Sequence, residues 1–193
     1  MAKPIGLNAA DFGADVSDLQ NSAGNALFKT VQLDWSLPVD WEKGKKTPTD
    51  RSDACVYVIM HDDGRYRQKK RIVYVGLTKD PSKRFLNHPT AHDIVNRQGR
   101  ASISFSFFDF IQGRNKIERV NEASEEVEHI LIWTLWPYLE NDRKMFTLPG
   151  MGVYGGNAWH ILNKGYRFHG QMPREIVYPW MLVKPGRNRS AKT

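Results

Sequence analysis

Cys55-Val56-Tyr57-Val58-Ile59 and Val73-Tyr74-Val75-Gly76 are two short runs dominated by β-branched residues, each carrying one tyrosine. Such residues are restricted at χ1 and suit extended backbone, so both runs are expected as strands. His61-Asp62-Asp63-Gly64 between them is turn chemistry, which makes the pair an antiparallel hairpin. Side chains alternate faces along a strand, so a hairpin in register puts both phenols on one face. Its loop carries five cations, Arg65, Arg67, Lys69, Lys70 and Arg71.

Upstream of the hairpin, residues 27–35 alternate in strand fashion, Leu27, Lys29, Val31 and Leu33 against Phe28, Thr30, Gln32 and Asp34. Downstream, Asp80-Pro81 pairs an N-cap residue with proline at the first helical position, and Pro89 interrupts that helix near His88. Residues 102–110 set Ser102, Ser104 and Ser106 against Ile103, Phe105 and Phe107, the pattern of a half-buried strand. A helix is expected over 121–136. Val127, Ile130, Leu131, Thr134 and Leu135 form its core stripe, acids crowd its N-terminal end, and Pro137 stops it. Residues 158–163 and 175–183 are further strand candidates. The class is therefore α/β (α+β), a small central, mainly antiparallel sheet flanked by helices. Residues 1–52 are expected as an arm and strand, 53–150 as the central domain, and 151–193 as a basic extension.

The chain has 193 residues, enough to bury a substantial core. Its one cysteine, Cys55, excludes an intramolecular disulfide and fits a reducing compartment. Lying in an apolar strand, it is expected as a buried small hydrophobe. No apolar run reaches the ~20 residues of a membrane span, and the start lacks a secretory pattern, so the expected location is cytoplasmic. The net charge of +7 is concentrated late in the chain. Residues 151–193 hold seven Lys/Arg, including Lys184, Arg187 and Arg189, against one acid, Glu175. That distribution favours a polyanion partner.

Five groups combine into chemistry. Arg84 and His88, four apart, are expected to share a helix face that looks at Tyr57 and Tyr74. Glu128 has Leu131 and Ile132 at i+3 and i+4, which places its carboxylate at the edge of the buried stripe. Glu122, Glu125 and Glu126 read as a solvated, dipole-matching turn. A carboxylate beside apolar surface needs a partner, and a metal ion is a good one. Phenols, a guanidinium, an imidazole and a metal-holding carboxylate are the parts for hydrolysing a phosphodiester. His160 and His169 lack the paired carboxylates or cysteines of a second metal site.

The order of these pieces over residues 53–142 resembles the GIY-YIG nuclease family. Arg84 and His88 stand eight and twelve residues after Gly76, as in the family's second motif. The helix reading Glu-x-x-Leu-Ile, then Pro and Asn, is similar to Glu128, Leu131, Ile132, Pro137 and Asn141. The first motif departs in having Cys55 where glycine is usual, and Asn141 stands one place late. The resemblance implies DNA cleavage with Glu128 holding one Mg²⁺ or Mn²⁺ ion. It also implies that the first-motif tyrosine, Tyr57, acts as the base. The residues themselves leave Tyr74 and His88 open for that role. Arg84 would fork onto the scissile phosphate, and Asn141 would orient a backbone or phosphate group. The expected function is a restriction-type site-specific double-strand cutter. The alternatives are a structure-specific nickase and a catalytically weak nucleic-acid-binding protein. One site per chain makes a homodimer on DNA the expected partner state. Phosphate contacts are expected from Arg65, Arg67, Lys69, Lys70, Arg71, Lys184, Arg187 and Arg189, and base contacts from residues 157–171.

Overall fold

Eleven residues, β5 (Arg100–Phe110), run through the middle of a seven-stranded sheet and hold its two halves together. The computed structural model describes residues 16–20, 23–44, 54–64, 70–86, 88–110, 117–136, 139–149 and 158–178. The expected contacts at Arg65, Arg67, Lys69, Asn157, Lys184, Arg187 and Arg189 lie outside the described residues. One half pairs β5 with β3 (Cys55–Asp62), and β3 with β4 (Arg71–Thr78), both antiparallel. The other half pairs β5 with β1 (Lys29–Trp35), β1 in parallel with β6 (Trp159–Gly165), and β6 with β7 (Glu175–Tyr178). The fold is thus α+β with a mostly antiparallel sheet. Strands from both ends of the chain join the sheet formed by the central segment.

The short strand β2 (Val39–Asp40) continues β1 along the same edge of β5, one residue out of register. Pro38 lacks an N–H, and Ser36 bridges the irregularity instead. Its amide donates to the Phe105 carbonyl at 3.0 Å, its Oγ accepts from the Phe105 amide at 3.1 Å, and its carbonyl accepts from Ser104 Oγ at 2.8 Å.

Both faces of the β3–β5 half are covered. Val56, Val58, Met60 and Val75 pack under α4 (Ile117–Leu135) with Val127, Ile130, Leu131 and Leu135. Tyr57, Ile59, Val73, Ala101 and Ile103 face the opposite layer. It is built from α1 (Trp41–Gly44), α2 (Pro81–Leu86) and α3 (Pro89–Val95), which contribute Trp41, Phe85, Ala91 and Ile94. This two-sided burial corrects the half-buried reading of β5. Ser104 and Ser106 are fully buried, while Phe105 and Phe107 are only half-buried. Ser104 pairs with Val58 and Ser106 with Val56, so the small residues leave room on the α4 face. Cys55 is buried as expected, and burial pushes its thiol up to about 12.

Strand β4 lies at the end of the sheet, and side-chain amides occupy its outward backbone groups. Asn141 Oδ1 accepts from the Val75 amide at 3.1 Å, and its Nδ2 donates to the Val75 carbonyl at 2.7 Å. Gln171 does the same farther along, accepting from the Ile72 amide at 2.8 Å and donating to the Lys70 carbonyl at 3.1 Å. Between them a bulge at Val73 turns its carbonyl to the Glu140 amide at 2.6 Å. Five outward groups that would otherwise face water or a stranger are thereby paired. No helix among the described residues is long and apolar enough to cross a membrane.

Candidate active site

Register builds the site first. Tyr57 pairs with Gly76 and Ile59 with Tyr74, so the two tyrosines are diagonal neighbours on one face of the hairpin. Their rings stack with centroids 6.2 Å apart and planes 29° from parallel. Gly76 makes this possible, because a Cβ there would overlap both rings. Tyr57 is completely buried, and Tyr74 is half-buried.

Helix α2 begins as expected. Asp80 Oδ1 accepts from the Lys83 amide at 3.2 Å and its carbonyl from the Arg84 amide at 3.0 Å. The helix then ends at Leu86, so Arg84 and His88 do not share a helix face. Proline at 89 disfavours helical backbone at His88, which is extended (φ −112°, ψ 94°) and caps α3 instead. The correction has a chemical consequence. As the cap, His88 Nδ1 accepts from the Ala91 amide at 3.2 Å, which leaves the imidazole hydrogen on Nε2. That nitrogen lies 2.6 Å from the Tyr57 hydroxyl and donates to it.

Electrostatics order the phenols. Burial, then Arg84 and His92, lowers His88 to about 4, so the ring is neutral at pH 7. Burial and the nearby Tyr74 raise Tyr57, and its hydrogen bond to Arg84 only partly offsets this. Tyr74 is also raised by burial, against the pull of the Arg84 charge and hydrogen bonds from Arg84 and Tyr57. Desolvation thus outweighs the pull of the nearby guanidinium on either phenol. The remaining asymmetry still favours Tyr74. Tyr74 is only half-buried where Tyr57 is fully buried, so desolvation opposes its ionisation less. His88, Tyr57 and Tyr74 form a cluster that starts buried and ends at the surface, with the charge of the exposed Arg84 acting on both phenols.

Glu128 completes the group. Its charge acts on both tyrosines, and its side chain is 14% exposed. The other acids of α4 separate from it by partner. Glu125 is exposed and pairs with Lys79 at 3.6 Å. Glu126, read from sequence as solvated, accepts from Trp159 Nε1 at 2.6 Å and ties the helix to β6. The side chain of Glu122 lies outside the described residues. No protein family, curated protein or solved structure matches this chain.

Asn141 is buried against the strand that carries Tyr74, and it orients backbone there. Lys144 was not among the expected site residues, yet its Nζ lies 2.6 Å from Glu128 Oε2. Only the position of a lysine three residues after Asn141 was visible in sequence. Lys70 is exposed and Arg71 half-buried at the hairpin's base. Within the segment expected to read bases, Tyr166, Arg167 and His169 line a surface cavity of about 480 Å³ with Trp35, Leu37 and Gly165. His160 is buried in β6 and bonded to Glu175 at 2.5 Å.

A metal ion must find donors here. Among the described residues no three His, Cys, Asp or Glu side chains converge. Mg²⁺ commonly takes one or two carboxylates and completes its shell with water and phosphate oxygens. Glu128 fits that role.

Proposed function

We propose that this chain is a divalent-metal-dependent endodeoxyribonuclease of GIY-YIG type, hydrolysing DNA phosphodiesters. One observation carries the reading. A single guanidinium, Arg84, acts electrostatically on two phenols in a site that also contains a low-exposure carboxylate, Glu128, and a neutral imidazole, His88, hydrogen-bonded to Tyr57. An anionic substrate is the partner this excess of donors lacks.

In this reading Arg84 forks onto non-bridging oxygens of the scissile phosphate, where charge builds in the transition state. Tyr74, at the surface end of the cluster, meets the attacking water. Tyr57 and His88 hold Tyr74 in place through their ring contacts. This assigns the contact with water to Tyr74 rather than Tyr57, because Tyr57 has no exposed surface from which to act. Glu128 would hold Mg²⁺ or Mn²⁺, which supplies charge neutralisation and a more acidic bound water. The basic hairpin loop and the late cations would supply sequence-independent affinity through phosphate contacts. A restriction-type cutter working as a homodimer on DNA accounts for one site per chain facing two strands.

The deciding experiment is cleavage of supercoiled plasmid with Mg²⁺, with Mn²⁺ and with EDTA, by the wild type and Glu128→Gln. Metal-dependent conversion to linear DNA, absent in the variant, is expected. Nicked circles alone would favour the structure-specific nickase. Retention of the plasmid on a gel without cutting under any metal would sink the nuclease reading in favour of a binding protein.

A further inference from the structure

The segment after α4 brings a cation onto the one carboxylate that the proposed reaction needs. Lys144 Nζ sits 2.6 Å from Glu128 Oε2 and also donates to the Glu125 carbonyl at 3.4 Å. The lysine itself is two-thirds buried, with 32% of its side chain exposed. Its backbone has φ 65°, a left-handed conformation that glycine adopts freely and lysine does not. Three residues later the loop is fastened again. His129 Nε2 lies 2.8 Å from the Thr147 carbonyl and 3.1 Å from Thr147 Oγ1. Two successive residues of α4, Glu128 and His129, therefore clasp this loop at two points. A strained lysine held at a carboxylate is a feature that surface solubility does not require.

We propose that Lys144 is the resident cation of the metal position. Its ammonium occupies the place on Glu128 that a divalent ion takes, and a substrate phosphate receives the ammonium when the ion arrives. The inference rests on the nuclease reading and deepens it. An ammonium and a divalent ion on one carboxylate oxygen repel each other strongly at low effective dielectric, so the two occupants exclude one another. Without DNA, Lys144 keeps the carboxylate neutralised and the metal weakly held. With DNA, the phosphate both ligates the metal and pairs with Lys144. Metal and DNA must then strengthen each other's binding by the same factor. Charging of the site would be confined to protein already on its substrate.

The test measures Mn²⁺ binding to the full chain without DNA, by the electron-paramagnetic signal of free Mn²⁺, so no activity is involved. Lys144→Gly suits the left-handed backbone and removes the whole side chain, while Lys144→Met removes the ammonium and keeps the bulk of the stem. Both should bind Mn²⁺ about tenfold more tightly than wild type, the scale of one partly buried ion pair. Adding Glu128→Gln to either should abolish that gain. Lys144→Met should also melt at lower temperature without metal and recover with Mn²⁺. Unchanged Mn²⁺ affinity in both Lys144 variants, with Glu128→Gln alone abolishing binding, would overturn the role of Lys144 and leave Glu128 as the metal ligand. Binding untouched by Glu128→Gln in every background would remove the metal reading and this proposal together. A folded Lys144→Gly that binds no Mn²⁺ also overturns the proposal, since removing the competitor should open the site.

Discussion

The β3–β4 and β6–β7 halves of the sheet each bury a histidine, and each receives a glutamate from α4. In the β6–β7 half the acids meet protein donors. Glu175 takes His160 Nε2, and Glu126 takes the Trp159 indole. His160 Nδ1 is buried with no hydrogen-bond partner among the described residues. In the β3–β4 half, His88 has both nitrogens engaged, but the groups beyond it are an exposed guanidinium and a half-buried phenol. Apart from His160 Nδ1, the first arrangement is paired within the protein. The second has donors in excess and opens to solvent. A buried histidine is therefore no mark of a site; what distinguishes the two regions is which one presents a cationic donor and a phenol to solvent.

The largest effect should come from exchanging the fates of the two glutamates. Glu128→Gln should cost at least about 10³-fold in plasmid cleavage, the scale of losing a metal's contribution to the transition state. Glu126→Ala should cut normally but lose about 1–3 kcal/mol in urea melts, because a buried indole N–H is left unsatisfied. An inactive Glu126→Ala protein of normal stability would erase the distinction between the halves.

Next comes the guanidinium. Arg84→Ala should slow single-turnover cleavage by about 10²–10³-fold, and Arg84→Lys should recover little, since a point charge cannot reproduce a fork on phosphate. Near-normal turnover by the lysine variant would reduce Arg84 to part of the general basic surface.

The phenols should then separate by exposure. Tyr74→Phe should lose about 10²-fold or more, on the scale of a positioned acid–base group. Tyr57→Phe should lose less while destabilising the fold, because His88 Nε2–H then has no acceptor at 2.6 Å. The reverse order of rates would return the contact with water to Tyr57.

Smallest is the pH response of stability. His88 faces Tyr57 on β3, Tyr74 on β4, Arg84 on α2 and His92 on α3, and its folded value of about 4 lies below the ordinary ~6.5. Between those values the unfolded chain binds more protons, so this contribution is complete above ~6.5 and is lost as pH falls towards about 4. His88→Gln should flatten that slope in chemical denaturation. A slope unchanged by His88→Gln would assign the acid sensitivity to other groups.

The hairpin, the start of α2 and the stripe of α4 were legible because they rest on neighbours in sequence. Turn residues sit between β-branched runs, aspartate and proline stand at a helix start, and Val127, Ile130, Leu131 and Leu135 recur at helical spacing. What escaped depends on distant partners. Asn141 meets Val75 across 66 positions and Gln171 meets Ile72 across 99, and no local pattern marks either amide as a substitute for a strand. Ser104 and Ser106 look solvent-facing until a second layer covers them. The shared helix face of Arg84 and His88 failed at Pro89, which moved the imidazole from a helix surface to a cap. Of the site, the residue types and approximate meeting point could be read. Which phenol reaches the surface, and which lysine holds Glu128, could not.

The amides fastened along β4 also restrict how two copies can assemble. With the outward groups of Val75, Ile72, Val73 and Lys70 already taken, another chain finds few backbone donors or acceptors there to continue the sheet. Association by strand addition is blocked on the side nearest the tyrosines. On the proposed reading, a dimer that places two sites on opposite DNA strands would have to dock elsewhere, which would leave the approach to Tyr74 and Arg84 clear for the duplex.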